Sequence, residues 1–175
     1  MSQSALAELA FRAWQEASRL NEIESYVASL CNHLAAVMPV RALALFEFDP
    51  KLRMLTQLCS TRPGRAVESS PSRVRCTAAQ SQELGDWVAL GSVVTSDDDA
   101  TLAEVLREVL PASATDTVVG GLRSPAGALG LLAIEIKPGQ AVDAETRAVL
   151  ARLLEPSAMA LESSQRLRAL GRQAK

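Results

Sequence analysis

The sequence predicts an α+β sandwich: one mostly antiparallel sheet of about five to six strands, long terminal helices on one face, and shorter helices with their loops on the other. Three observations carry this. Both ends of the chain hold long runs with apolar residues at three- and four-residue steps, the middle holds short apolar runs, and Pro- or Gly-containing turns join those runs in pairs. At 175 residues, 48% hydrophobic and 22% charged, the chain has the composition of a soluble globular protein and the length of one domain, read as residues 1–172.

The first element is a helix over 4–20, because Leu6, Leu9, Ala10, Ala13, Ala17 and Leu20 share a face while Glu8, Gln15, Glu16 and Arg19 occupy others. Asn21 reads as the cap of a second helix, with Glu22 and Glu24 in its first turn, where negative charge suits the helix dipole. Its stripe of Ile23, Val27, Leu30, Leu34 and Val37 ends before Pro39. From Arg41 to Asp49 nearly every residue is apolar over a run too short for another typical helix, which suggests a strand covered on both faces. Asp49-Pro50-Lys51 turns it into a second strand, Met54 to Thr61. A breaker-rich loop, Arg62 to Ser72, leads to a short strand, Arg73 to Thr77.

Helical texture returns from Ala78 to Leu90 and is ended by Gly91. A short strand at Ser92 to Thr95 and the polar loop Ser96 to Asp99 precede a helix from Thr101 to Leu110, stopped by Pro111. Strands Thr117 to Ser124 and Leu129 to Lys137 form a hairpin through Pro125-Ala126-Gly127, where Pro sets φ and Gly allows a positive one. The last helix spans 143–172, and Pro156 inside it predicts a kink near Arg152 to Pro156.

Charge and composition exclude several functions. Eighteen Lys plus Arg against twenty Asp plus Glu leave a net charge of −2, with no basic excess for a run of phosphates, so the chain does not read as a nucleic-acid binder. Three cysteines at wide spacing, Cys31, Cys59 and Cys76, give neither a disulfide framework nor a zinc knuckle and read as reduced core residues. A single histidine, His33, rules out a multi-histidine metal site in one subunit and removes the usual general base from most of the chain. Glu8 and Arg12 interrupt what would be the apolar core of a signal peptide, and no stretch approaches the roughly eighteen apolar residues of a membrane span. The chain reads as cytoplasmic and not an enzyme.

The strand Arg41 to Asp49, the Trp87-Val88-Ala89 to Val93-Val94 segment, the hairpin from Gly121-Leu122-Arg123 through Gly130-Leu131-Leu132, and the closing helix together resemble a GAF domain, over about Ala5 to Arg172. Within that family, Leu153-Leu154-Glu155-Pro156-Ser157-Ala158-Met159-Ala160-Leu161-Glu162 and the following Gln165 to Leu170 are similar to the end of the N-terminal sensory domain of sigma-54-dependent transcriptional activators of the formate-hydrogenlyase activator type. There the helix leads into a linker and an AAA+ ATPase. This chain holds no phosphate-binding G-x-x-x-x-G-K-[ST] loop, so the resemblance implies the sensor part alone.

That resemblance implies a ligand pocket, with Phe48, Arg75, Cys76, Trp87, Val94 and Asp97 as candidates, and names no cofactor. Trp87 is explained equally well as core packing. It also implies a homodimer packed through the terminal helices, where Phe11, Trp14, Leu161, Leu167 and Leu170 add apolar surface. Four arginines around the long loop, Arg62, Arg65, Arg73 and Arg75, present guanidinium forks suited to a carboxylate or phosphate, although surface arginines are common. Cys59 and Cys76, on strands expected to be close, suggest a redox pair or, more simply, two core thiols. Cys31 and His33 are two apart and do not share a helix face. Asp97-Asp98-Asp99 lacks the spacing of a calcium loop and reads as solvated. Three functions follow: a sensory domain that binds a small molecule and controls an AAA+ domain in cis, a ligand-free dimerisation module, and an enzyme such as a methionine-sulfoxide reductase, which needs well-placed pocket cysteines.

Overall fold

The computed structural model describes residues 1–19, 22–69, 71–95, 98, 100–109, 116–140 and 142–174. Its elements are α1 (Gln3–Arg19), α2 (Ile23–Ala35), β1 (Val40–Asp49), β2 (Met54–Thr61), β3 (Ser72–Arg75), α3 (Ala78–Leu90), β4 (Val93–Thr95), α4 (Ala100–Val109), β5 (Thr117–Ser124), β6 (Gly127–Ile136) and α5 (Ala144–Gln173). The strands form one six-stranded sheet in the order β3-β2-β1-β6-β5-β4, antiparallel at every pairing. Central β1 is hydrogen-bonded on both sides, with Leu45 opposite Cys59 of β2 and Leu132 of β6.

Alternation along β1 divides the interior in two. Leu43 and Leu45 point into a first core closed by α1, α2 and α5, through residues such as Ala13, Tyr26, Leu30 and Leu153. Ala44, Phe46 and Phe48 point the other way, into a second core closed by Leu84, Trp87 and Val88 of α3 and by Leu102 and Val105 of α4. The sheet thus carries the long terminal helices on one face and the short middle helices on the other, as the sequence predicts. Tyr26 and Ser157 hydroxyls meet at 2.9 Å in the first core and tie α2 to α5, and burial raises the Tyr26 phenol's pKa.

Several ends differ from the sequence reading for local reasons. Thr77, expected in β3, caps α3: its Oγ1 accepts from the Gln80 N–H at 3.1 Å, and Gln80 Oε1 accepts from the Thr77 N–H at 2.8 Å. That reciprocal pair satisfies two backbone donors, one at the helix start, which a strand assignment would forfeit. Gly91 takes φ 65° and stops α3 in the left-handed conformation. α2 starts after Glu22, whose side chain makes no capping bond, and Asn21, the expected cap, lies outside the described residues. α5 starts on Asp143, whose Oδ1 accepts from the Thr146 N–H at 2.8 Å. It runs as one helix through Pro156, which is buried.

Candidate functional site

On the second face, among the described residues, the helices leave part of the sheet uncovered. A cleft of about 560 Å³ opens there. Its floor is Ala42 and Ala44 of β1 and Ala133 of β6, with Ala44 directly opposite Ala133 in the strand register. Three alanines on adjoining strands remove the volume that Leu or Phe would fill, and the space is what remains. Gln57 and Ser60 of β2, Thr117 of β5 and Glu135 of β6 add polar groups to the same surface. Glu135 is mostly buried and meets the Arg41 guanidinium at 3.2 Å.

The wall is the loop after β2, which contributes Arg62, Arg65 and Glu68. Its shape is fixed locally. Paired backbone bonds between Ser60 and Glu68 (3.0 and 2.8 Å) bring the returning loop back alongside the end of β2, and the Arg65 N–H donates to the Arg62 carbonyl at 3.0 Å. The Thr61 hydroxyl lies 3.3 Å from the carbonyl oxygens of both Arg62 and Arg65. Asn32 of α2 anchors the tip by accepting from the Gly64 N–H at 3.1 Å.

No protein-family model and no curated protein matches the sequence. Solved structures do. A free methionine-R-sulfoxide reductase from Neisseria meningitidis, in complex with its substrate, is 14% identical and matches over 95% of each chain with a TM-score of 0.63. The GAF domain of a phosphoenolpyruvate-protein phosphotransferase from Coxiella burnetii is 13% identical over 98% of this chain and 99% of its own, with a TM-score of 0.63. The phycoerythrobilin-bound GAF domain of a cyanobacterial phytochrome is 11% identical over 93% of this chain and 97% of its own, with a TM-score of 0.62.

The chain has the GAF fold.

Within this GAF fold the expected pocket residues do not line the cleft. Phe48, Cys76 and Trp87 are buried in the second core and Val94 packs against it, so they fill the region under α3 and α4. The Trp87 Nε1 is buried without a hydrogen-bond partner among the described residues. Arg75 is exposed on the edge strand β3, and Asp97 lies outside the described residues. Of the four arginines around the loop, Arg62 and Arg65 reach the cleft, whereas Arg73 and Arg75 sit on β3. Sequence reasoning missed Ala42, Ala44, Gln57, Ala133 and Glu135. The available signal was small residues among bulky ones in the central strands: alternating alanines in Ala-Leu-Ala-Leu of β1 and a lone alanine in Leu-Leu-Ala-Ile-Glu of β6.

The candidate interface residues divide as well. Phe11 and Leu170 are each 61% exposed, Leu167 47% and Trp14 40%, whereas Leu161 is fully buried in the chain's own first core. Leu161 faces the sheet and is removed from the apolar surface.

The thiols are placed against reactivity. Cys59 lies in the first core and Cys76 in the second, on opposite faces of the sheet, so the suggested redox pair is not formed. All three cysteines are free and buried. Burial pushes Cys31 up to about 11 and Cys59 up to about 12, and also raises Cys76. A thiol-disulfide reagent at pH 8 is expected to leave all three cysteines unreacted over minutes in the native protein and to titrate all three in denaturant. One fast native thiol would show a cysteine more open than this.

Asp98, within the acidic run, acts as a latch. The Arg147 Nη2 of α5 donates to its Oδ2 at 2.8 Å and the Thr95 N–H donates to the same oxygen at 3.1 Å, joining the segment after β4 to the first turns of α5. These bonds, the one from Arg147 foremost, hold the Asp98 carboxyl down at about 2, against an ordinary 3.8. A depressed carboxyl stabilises the fold above its unfolded pKa, and that contribution is lost as pH falls through the folded one. The difference in Tm between the native chain and Asp98→Asn is expected to hold above about pH 5 and to shrink steadily from about pH 4 to pH 2. Thermal melts across that range check it, and a pH-independent difference would mean that the ion pair contributes nothing. The pair is exposed, so salt weakens the effect.

Among the described residues no helix is long and apolar enough to cross a membrane, and no group of three or more His, Cys, Asp or Glu is arranged to hold a metal ion.

Proposed function

We propose that this chain is a sensory and regulatory domain of a bacterial sigma-54-dependent transcriptional activator, acting in the cytoplasm. A small molecule in the cleft biases the arrangement of α1 and α5, two copies pack through those helices, and the change passes to an AAA+ output domain in cis. The observation that carries this reading is the cleft of about 560 Å³ with its alanine floor on a GAF sheet. Transmission needs a ligand that binds two helix arrangements with unequal affinity. The sheet offers the route: β1 and β6 present Ala44 and Ala133 to the cleft, and Leu45, Leu132 and Ile134 to the helix layer behind. Phe11 and Trp14 of α1, with Leu167 and Leu170 of α5, supply exposed apolar surface for a second copy.

A ligand-free dimerisation module is the second reading, favoured by Phe48, Cys76 and Trp87 packing as core. The reductase reading lacks that kind of support, because none of the three cysteines lines the cleft and burial disfavours each thiolate. A native mass spectrum of the purified chain, then a denaturing spectrum of the same sample, separates these readings. The expected result is a dimer with a stoichiometric small-molecule adduct that Ala42→Phe, which fills the cleft, no longer carries. A clean dimer in both forms would leave the dimerisation module, and a clean monomer would overturn the helix interface.

A further inference from the structure

We infer that the cleft takes a small aliphatic monocarboxylate bearing a hydroxyl or amino donor, its carboxylate held by Arg62 and Arg65 and its donor by Gln57 and Glu135. This deepens the sensory reading and rests on it.

The anion end is the loop wall. Arg12, Arg41, Arg147, Arg166 and Arg168 are each paired with a carboxylate of this chain. Arg62 and Arg65, both on the cleft, have no such partner among the described residues. Their carbonyls nevertheless meet the Thr61 hydroxyl, and Asn32 holds the Gly64 N–H between them, so both arginines stand on a turn fixed at several points. Two guanidinium forks on one wall of the cleft suit the oxygens of a carboxylate.

Charge limits the anion. Glu135 is offset by Arg41, and Glu68 offsets one of the two free arginines, which leaves a single positive charge for the ligand to neutralise. A second negative charge, as on a phosphate dianion, would meet Glu68.

The floor limits the body. No aromatic ring lines the cleft among the described residues, so a purine or a conjugated ring finds nothing to stack on, while Ala42, Ala44 and Ala133 accept a short aliphatic chain. On the sheet side of the cleft, the Gln57 amide oxygen and the Glu135 carboxylate supply acceptors, and the Glu135 side chain is only 12% exposed. An acceptor in that position rewards a ligand that brings a donor and penalises one that does not.

The test is calorimetric titration of the full chain with five probes: L-lactate, L-serine, propionate, inorganic phosphate and AMP. Saturable binding of L-lactate or L-serine is expected, with propionate weaker. The double variant Arg62→Gln/Arg65→Gln should weaken the bound carboxylate by about tenfold or more, and Gln57→Ala, which leaves Glu135 as the remaining acceptor, should narrow its advantage over propionate. Both arginines are exposed, so the double variant should melt like the native chain, and its melt confirms that it is folded. Carboxylate binding that survives the double variant unchanged would overturn the assignment of the arginines. Binding of phosphate or AMP with the carboxylates silent would overturn the ligand class and leave the sensory reading standing. Silence from all five would also overturn the class, whereas the sensory reading falls only on the native mass spectrum.

Discussion

Gly130→Ala is expected to destabilise the chain by about 3 kcal/mol or more, at the upper end of overpacking costs. A Cβ at this position would stand 1.9 Å from the Phe46 carbonyl oxygen, 3.0 Å from its carbon and 3.1 Å from the Leu161 Cδ2. The last contact could relax by a rotamer change. The first cannot, because β1 is hydrogen-bonded to β2 on one side and to β6 on the other, so its backbone has nowhere to retreat. Against a total stability of about 5–15 kcal/mol, such a loss moves the urea midpoint far to the left. A shift worth under about 1 kcal/mol would mean that β1 and β6 yield at Gly130 more readily than two paired strands should.

Leu161→Ala is expected to cost about 2–5 kcal/mol of folding stability, the range for a buried leucine whose cavity does not collapse. Leu161 is fully buried, in contact range of Gly130 across the α5–β6 interface. Leu170→Ala, at a side chain 61% exposed, should stay within about 0.5 kcal/mol of the native monomer. The contrast assigns the two residues: the first acts through the fold, and the second acts through association if a second copy packs there. Denaturation at several protein concentrations checks both, since only an interface residue gives a concentration-dependent effect. The double variant Gly130→Ala/Leu161→Ala should recover only part of the glycine's cost, because removing the leucine relieves the 3.1 Å contact and leaves the one at 1.9 Å.

Much of the architecture is written locally. The bounds of β2, α3 and β5 coincide with the sequence reading, because each is set by a periodicity of two or 3.6 and closed by turn or cap chemistry next to it. Thr77 shows where that reading slips: a capping residue and a strand residue look alike until Gln80 is seen to answer it. The long apolar stripes of α1 and α5 likewise sufficed to put both helices over the sheet. They did not separate Leu161, which is turned inward, from Leu167 and Leu170, which are exposed near the C-terminal end of α5.

The candidate site was less legible for a physical reason. A cleft consists of volume that side chains fail to fill, and that volume depends on which small residues become neighbours. Alternation alone puts Ala42 and Ala44 on one face of a strand. That Ala133, some ninety residues later, lands opposite Ala44 is a matter of sheet register. The resemblance pointed to elements and not to directions, and so it selected Phe48, Cys76 and Trp87, whose side chains fill the second core beside the cleft. Arg62 and Arg65 were singled out with Arg73 and Arg75 as one cluster, and only the turn held by Thr61 and Asn32 parted them.

The sequence by itself determined the α+β order, the two helical layers, the reduced cysteines and the slightly negative net charge, since each follows from composition or from contacts within a few residues. Tertiary structure decided the register of β1 against β6, the inward turn of Leu161, the separation of Cys59 from Cys76 and the place of the cleft. Those depend on pairings between residues tens of positions apart, whose energy is gained only when the whole sheet has closed.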